Sequence, residues 1–260
     1  MAEGLTFERR DAASIVRFAR PEKKNALKSF MYTAIAETMA EAECDPAVTA
    51  HVFIGSEGVF TAGNDITEFA DRANGDTALS GHVQNFIRSL PNIKKPMIAA
   101  VDGLAVGIGT TLLMHCDLVY ATPTASLRTP FANLGLVPEA GSSLIAPRLM
   151  GHARAFELLV LGQPFDAETA QAAGLINRIV PAEELEQTAL AAVAQLAAKP
   201  PEALAKSRAL LRGSADEIAA RIDHEIGIFT ERLASPEARE AFAAFFEKRA
   251  PDFSKTRSTG

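Results

Sequence analysis

Glu139 stands where a carboxylate has chemical use. It follows the apolar stretch Phe131-Ala132-Asn133-Leu134-Gly135-Leu136-Val137-Pro138 and precedes the small residues Ala140-Gly141-Ser142-Ser143. Burial in such a place disfavours the charged form, raises the pKa and gives a base or acid that works near neutral pH. A first-turn helix carboxylate is the alternative, because acids favour the positive end of a helix. Two glycine-rich segments supply a second kind of chemistry: Gly55 to Ile66, and Val101 to Thr111. Each follows a strand pattern, lets a ligand approach the backbone and runs into a helical pattern. Two such helix starts converging make an oxyanion hole from main-chain N–H groups. Two tight strand-to-helix turns are the plain alternative. Leu112 occupies the place of the third glycine of a dinucleotide fingerprint, and no phosphate-loop lysine follows.

The elements that must hold these residues are legible as patterns. Leu5–Glu8 and Ser14–Phe18 read as a hairpin. Ser29 to Ala42 is helical, with Ser29 as N-cap. Ala50–Ile54, Pro96–Val101, Asp117–Ala121 and Leu175–Val180 read as strands, with a helical segment from Thr110 to Cys116. From Ala182 the texture becomes all-helical: Ala182–Ala198, Pro201–Leu211, Ser214–Leu233 and Pro236–Arg249, punctuated by prolines that suit helix starts. No internal repeat has an obvious sequence period. The tail Ser254–Gly260 is polar and expected to be loose.

Length and composition bound the rest. A chain of 260 residues, 48% hydrophobic, suits one large domain or a domain with an appendage. A net charge of −6 without a basic run argues against nucleic acid as a partner. Cys44 and Cys116 have no metal-ligand spacing, so a reduced, cytoplasmic setting is expected, with neither a disulfide framework nor a metal site. Met1–Arg10 is too polar for a signal peptide. The longest apolar run, near Pro96–Val106, is broken by Asp102 and Gly103, so no membrane span is expected.

Four blocks, in order, resemble the crotonase, or enoyl-CoA hydratase/isomerase, superfamily. Arg20-Pro21-Glu22-Lys23-Lys24-Asn25-Ala26-Leu27 looks like its early R-P-x-x-x-N-A-L loop. Phe60-Thr61-Ala62-Gly63-Asn64-Asp65-Ile66 looks like its F-x-A-G-x-D-[IL] motif. Gly103–Gly109 with Cys116-Asp117 looks like its second glycine block, and Ala241-Phe242 through Arg249 like its C-terminal helix. The likeness runs from about Phe7 to Phe253. It implies an α/β fold, a crotonase-like spiral of ββα units with a helical C-terminal region. Residues 1–199 would form the core with the CoA-thioester site, and 200–260 a helical trimerisation region. It implies a homotrimer, or a hexamer as a dimer of trimers, with an acyl-CoA substrate; coenzyme A enters only as part of that substrate, and no separate cofactor is expected.

The same resemblance assigns roles. The backbone N–H groups of Asn64 and Ile108 become the oxyanion donors. Asp65 fixes the first loop by accepting backbone N–H bonds, or is simply a turn aspartate. Lys23, Lys24 and Arg20 meet CoA phosphates, or sit in a solvated loop. Ala62, Asn64 and Ile66 run beside the pantetheine, and Ala26, Asp65, Gly107 and Phe131 complete the substrate set. Phe245 and Lys248, three apart on one helix face, reach a CoA on a neighbouring subunit; core packing is the alternative for Phe245. His115 and Cys116 are expected to pack under the helix after the second loop, without catalysis.

Hydratases of this family use two glutamates, and this chain has Thr111 and Phe131 in their places. The Thr-Pro-Phe-x-x-Leu-Gly … Pro-Glu run and Gly63-Asn64-Asp65 resemble instead the peroxisomal-type Δ3,Δ2-enoyl-CoA isomerases. There the glutamate matching Glu139 is the sole catalytic base, taking a proton from C2 of a 3-enoyl thioester and returning it to C4. Weak hydration or hydrolysis by a differently recruited Glu139 remains open, as does acyl-CoA binding without chemistry.

Overall fold

The computed structural model describes residues 3–68 and 81–256. Its centre is a six-stranded sheet in the order β1-β2-β3-β5-β7-β10. β1 (Leu5–Arg10) and β2 (Ala13–Phe18) form the expected antiparallel hairpin. Every later pairing, through β3 (Ala50–Ile54), β5 (Met97–Val101), β7 (Leu118–Ala121) and β10 (Arg178–Ile179), is parallel. β3 and β5 are buried at every position, as parallel strands covered on both faces must be. One cover is the helix Ala182–Ala197, whose Leu185, Ala189, Ala192 and Val193 pack on Ile15, Val52 and Ile98. The main core lies on the other face.

A four-stranded sheet, β4-β6-β8-β9, stands beside the first. β4 is Val59–Thr61, β6 Leu104–Val106, β8 Ser126–Arg128 and β9 Phe165–Asp166. The chain alternates between the sheets: β3 then β4, β5 then β6, β7 then β8. Each time the first strand joins the large sheet and the second the small one. This is the expected ββα spiral, repeated in structure without a repeat in sequence.

The helices Ala215–Leu233 and Pro236–Glu247 belong to the same core, whereas Pro201–Arg212 buries only Arg208. In the helix Ala215–Leu233, the near-helical spacing of Ile218, Ile222, Ile226, Phe229 and Leu233 makes one apolar face, and all five are buried in the main cluster. Among the described residues, no helix is long and apolar enough to cross a membrane. Cys44 and Cys116 are both free thiols.

Several boundaries differ from expectation, each for a local reason. Ser29 is the first helical residue of Ser29–Cys44 rather than its N-cap; its N–H and hydroxyl both donate to Glu68 Oε2, at 2.9 and 2.6 Å. The expected strand 175–180 shrinks to Arg178–Ile179, because Leu175 and Ile176 donate to Ala170 O at the end of a helix. The helix expected from Thr110 begins at Ile108 and tightens to a 3-10 turn over Leu112–His115. The last α-helix is Pro236–Glu247, with Lys248 left-handed at its C-cap, and the start of the tail expected to be loose forms a 3-10 turn at Phe253–Thr256. Most of the tail from Ser254, at 257–260, lies outside the described residues.

Candidate active site

β4, β6 and β8 are neighbours, and both β4·β6 and β6·β8 are parallel. Their carboxyl ends therefore share one edge of the small sheet. The segments that leave this edge are the first glycine loop, the second glycine loop and the stretch from Thr129 to Glu139. Ligand sites gather outside the carboxyl ends of parallel strands for this reason.

Two glycines bring the first two loops into contact. Gly63 has φ +82°, and a Cβ there would stand 2.5 Å from Val106 O. A Cβ on Gly109 would stand 2.5 Å from Thr61 Cγ2. Residues with side chains would push the loops apart. Leu27 and Asn64 form a parallel bridge in which the Leu27 N–H donates to Gly63 O and the Asp65 N–H to Leu27 O, both at 2.8 Å. In an extended segment alternate N–H groups point opposite ways, so the Asn64 N–H turns away from Leu27. On the second loop, Gly107 adopts φ 55°, ψ −119°, and its carbonyl accepts the Thr110 and Thr111 N–H groups at 2.9 Å. Its own N–H donates to Arg128 O at 2.8 Å. The Ile108 N–H is then a first-turn donor with no acceptor in its own helix.

The early loop braces this arrangement. Arg20 Nη1 donates to Asp65 Oδ2 at 2.7 Å, and Arg20 is mostly buried. The expectation that Arg20 meets a CoA phosphate is thus corrected: its guanidinium is committed to holding Asp65 and, at 3.2 Å, Ala26 O. Asp65 accepts one backbone N–H, that of Thr67 at 3.2 Å, together with the Thr67 hydroxyl at 2.7 Å. Its carboxyl lies below the usual range: burial raises it, and the Thr67 and Arg20 hydrogen bonds outweigh that. The sequence reading missed Asn25, which is buried and left-handed and donates to Val59 O at 2.7 Å. Its carbonyl accepts the Thr61 hydroxyl at 2.6 Å, and Thr61 Oγ1 in turn accepts the Gly63 N–H at 3.1 Å.

Glu139 is buried, with 4% of its surface exposed. Its Oε1 accepts the Thr111 hydroxyl at 2.7 Å. Burial pushes its carboxyl up to about 7; the Thr111 bond opposes this and the charge of Glu225 adds to it. The alternative of a first-turn helix carboxylate fails on geometry. The helix is Ser142–Met150 with Gly141 at its N-cap, so Glu139 precedes it. The carboxylate at that helix start is Glu225, which accepts the Gly141 N–H at 2.6 Å, the Ser143 N–H at 2.9 Å and the Ser143 hydroxyl at 2.5 Å.

His115 packs under the second loop and also holds the segment that carries Glu139. It is fully buried and its pKa is lowered to about 4 by that burial, so it is neutral at pH 7. Its Nε2 meets Ala140 O at 2.7 Å, and as Ala140 O can only accept, Nε2 carries the proton. Ala140 has φ 57°, an uncommon conformation for a residue with a Cβ, and this bond helps fix it beside Glu139. Tyr32, also missed, is fully buried and donates to Asn64 Oδ1 at 2.5 Å. The signal for it was slight: one of only two tyrosines in the chain, placed among apolar helical residues.

The other predicted residues divide by position. Ala62, Asn64, Ile66 and Gly107 are half-buried along the two loops, and Phe131 is buried in the core. Ala26 is half-buried beside them, while Lys23 and Lys24 are exposed. The Ala62 N–H donates to Lys24 O at 2.9 Å, tying the lysine loop to the first glycine loop. Phe245 is 55% exposed, which excludes core packing within this chain. Lys248 does not share a helix face with it, because the chain has already turned left-handed at the C-cap.

The model of the enoyl-CoA hydratase/isomerase family matches residues 8–256. The probable enoyl-CoA hydratase echA8 of Mycobacterium tuberculosis is 32% identical over 252 residues, covering 96% of this chain and 98% of that protein. Enoyl-CoA delta isomerase 2 of Rattus norvegicus is 32% identical over 253 residues, 95% of this chain and 64% of that protein. Among solved structures, Pseudomonas aeruginosa OdaA superimposes with a TM-score of 0.89 at 43% identity, covering 94% of this chain and 99% of that one.

Proposed function

The chain belongs to the enoyl-CoA hydratase/isomerase family of the crotonase superfamily, and within it we propose that it is a Δ3,Δ2-enoyl-CoA isomerase. One observation carries the choice. Thr111, in the place of a hydratase glutamate, spends its hydroxyl on the Glu139 carboxylate at 2.7 Å. A two-acid mechanism that activates water has lost one acid there and another at Phe131. A one-acid proton shift keeps everything it needs.

The steps balance on a single carboxyl. Ionised Glu139 removes a proton from C2 of a 3-enoyl thioester. The electron pair forms C1=C2 as the thioester C=O opens to an oxyanion at its oxygen, giving a dienolate that keeps C3=C4. The N–H groups of Asn64 and Ile108 donate to that oxygen as the charge develops. Loss of one such donor costs about 3 kcal/mol or more in comparable sites. The carboxylic acid then returns its proton to C4, which shifts C3=C4 to C2=C3, restores the carbonyl and leaves a trans-2-enoyl thioester. A carboxyl near pH 7 suits both directions of transfer. The apolar neighbours Phe131, Leu136 and Val137 keep water from competing.

For CoA, Lys23 and Lys24 remain the basic residues at the loop that adjoins Ala62. Ala26, Ala62 and Ile66 line the pantetheine path, with Asp65 and Gly107 as loop supports. The exposed Phe245, with Lys248, would reach a CoA held by a neighbouring copy in a homotrimer or hexamer. The delta isomerase of Rattus norvegicus supports the isomerase reading. Relatives named as hydratases favour hydration as the second reading. Purified protein given a 3-enoyl-CoA should form the 2-enoyl-CoA, and Glu139→Gln should abolish it. Turnover unchanged in that variant, or hydration of a 2-enoyl-CoA that survives it, overturns the proposal.

A further inference from the structure

The mechanism above uses the Asn64 backbone and leaves its side chain without a role. That side chain is not idle. Its Oδ1 accepts the hydroxyl of Tyr32 at 2.5 Å. Tyr32 is wholly buried, its ring tilted against Phe86 with centroids 5.3 Å apart, and it sits in the helix Ser29–Cys44 among Met31, Ile35 and Met39. A phenol held this tightly cannot turn to another acceptor without repacking the core. Its proton is also secure: burial, together with the charges of Glu139 and Glu68, pushes the phenol well above its usual range. Tyr32 therefore stays a donor near neutral pH.

A carboxamide is planar, so fixing one edge fixes the other. With Oδ1 turned into the core toward Tyr32, the NH2 edge of Asn64 is turned the opposite way. Asn64 itself is half-buried, on the loop whose N–H is assigned to the oxyanion. We propose that Tyr32 is a positioning residue that locks the Asn64 carboxamide with its NH2 edge toward the cleft, giving the thioester oxygen a side-chain donor beside the Asn64 backbone donor. The opposite orientation would place a carbonyl oxygen against developing negative charge and oppose the reaction. The inference rests on the CoA-thioester reading of the site, and not on which double-bond reaction follows.

The test separates these two layers. A saturated acyl-CoA labelled with 13C at the thioester carbonyl is bound to the wild type and to Tyr32→Phe and Asn64→Ala. The carbonyl stretch is then read by difference infrared spectroscopy. No turnover is required, so failure of the isomerase assignment leaves this measurement intact. In the wild type the stretch moves to lower frequency on binding. In both variants part of that movement is lost, by similar amounts, and in the double variant no more is lost than in either alone. With a 3-enoyl-CoA, Tyr32→Phe lowers kcat by roughly 10²-fold, as loss of an aligned donor would, and leaves KM within about twofold. A carbonyl stretch unchanged in Tyr32→Phe overturns the proposal, whatever happens to thermal stability. So do additive effects of the two substitutions.

Discussion

Glu225 Oε2 accepts the Gly141 N–H at 2.6 Å across 84 residues of chain. This bond decides which carboxylate sits at the helix start. The start of the helix Ser142–Met150 attracts a carboxylate, and Glu139 is the nearest in sequence. Because Glu225 arrives from the helix Ala215–Leu233 and takes that place, Glu139 is released to turn inward toward Thr111. Two carboxylates thus sit in one buried region with separate duties, and the charge of one raises the pKa of the other.

Glu139→Gln should lower kcat by about 10³, the range of a lost general base. It should also change stability with pH. Burial raises the folded-state pKa from 4.5 to about 7. The neutral acid is what the fold favours, so this contribution is complete below the ordinary value and is lost as pH rises through about 7. The glutamine variant escapes that loss. Relative to wild type it should gain stability between pH 5 and pH 8, by up to about 3 kcal/mol. Urea unfolding at the two pH values checks it; a relative loss at pH 8 contradicts it.

Thr111→Val removes a hydroxyl that stabilises the ionised form of Glu139. The acidic limb of the kcat/KM profile should move to higher pH. A limb that stays in place would mean that the hydroxyl does not act on the base.

Glu225→Gln should shift that limb the other way, because the charge of Glu225 raises Glu139. The variant should also lose roughly 2 kcal/mol, since an amide cannot accept from both Gly141 and Ser143 as the carboxylate does. Parallel shifts in Thr111→Val and Glu225→Gln would refute the electrostatic account.

Gly63→Ala tests loop convergence. The added Cβ would meet Val106 O at 2.5 Å, at a φ of +82° that alanine rarely adopts. Separating the Asn64 and Ile108 donors should lower kcat by roughly 10²-fold, with the protein still folded by circular dichroism. Full activity in this variant would exclude these two N–H groups as a joint oxyanion hole.

Much of this site was readable before folding. The strand β5 announces itself by an unbroken apolar run and β3 by one interrupted only at His51, and the glycine segments by the backbone freedom that their turns require. Arg20 was misread because a cation on a loop looks the same in sequence whether it awaits a phosphate or holds Asp65. The shared helix face of Phe245 and Lys248 was misread because helical spacing was extended past Glu247, where the chain turns left-handed. Neither error had a local signal to prevent it.

The sequence by itself determined the family, the two glycine loops and Glu139 as the candidate base. These depend on residue types close together along the chain. Only the tertiary structure decided which carboxylate caps the helix, what Thr111 does in place of a glutamate and which edge Asn64 is turned to present. Glu225, Thr111 and Tyr32 act on partners 84, 28 and 32 residues away. Hydrogen bonds and charges operate over a few ångströms, and only the packing of β4, β6 and β8 with the helices around them brings those groups within that range.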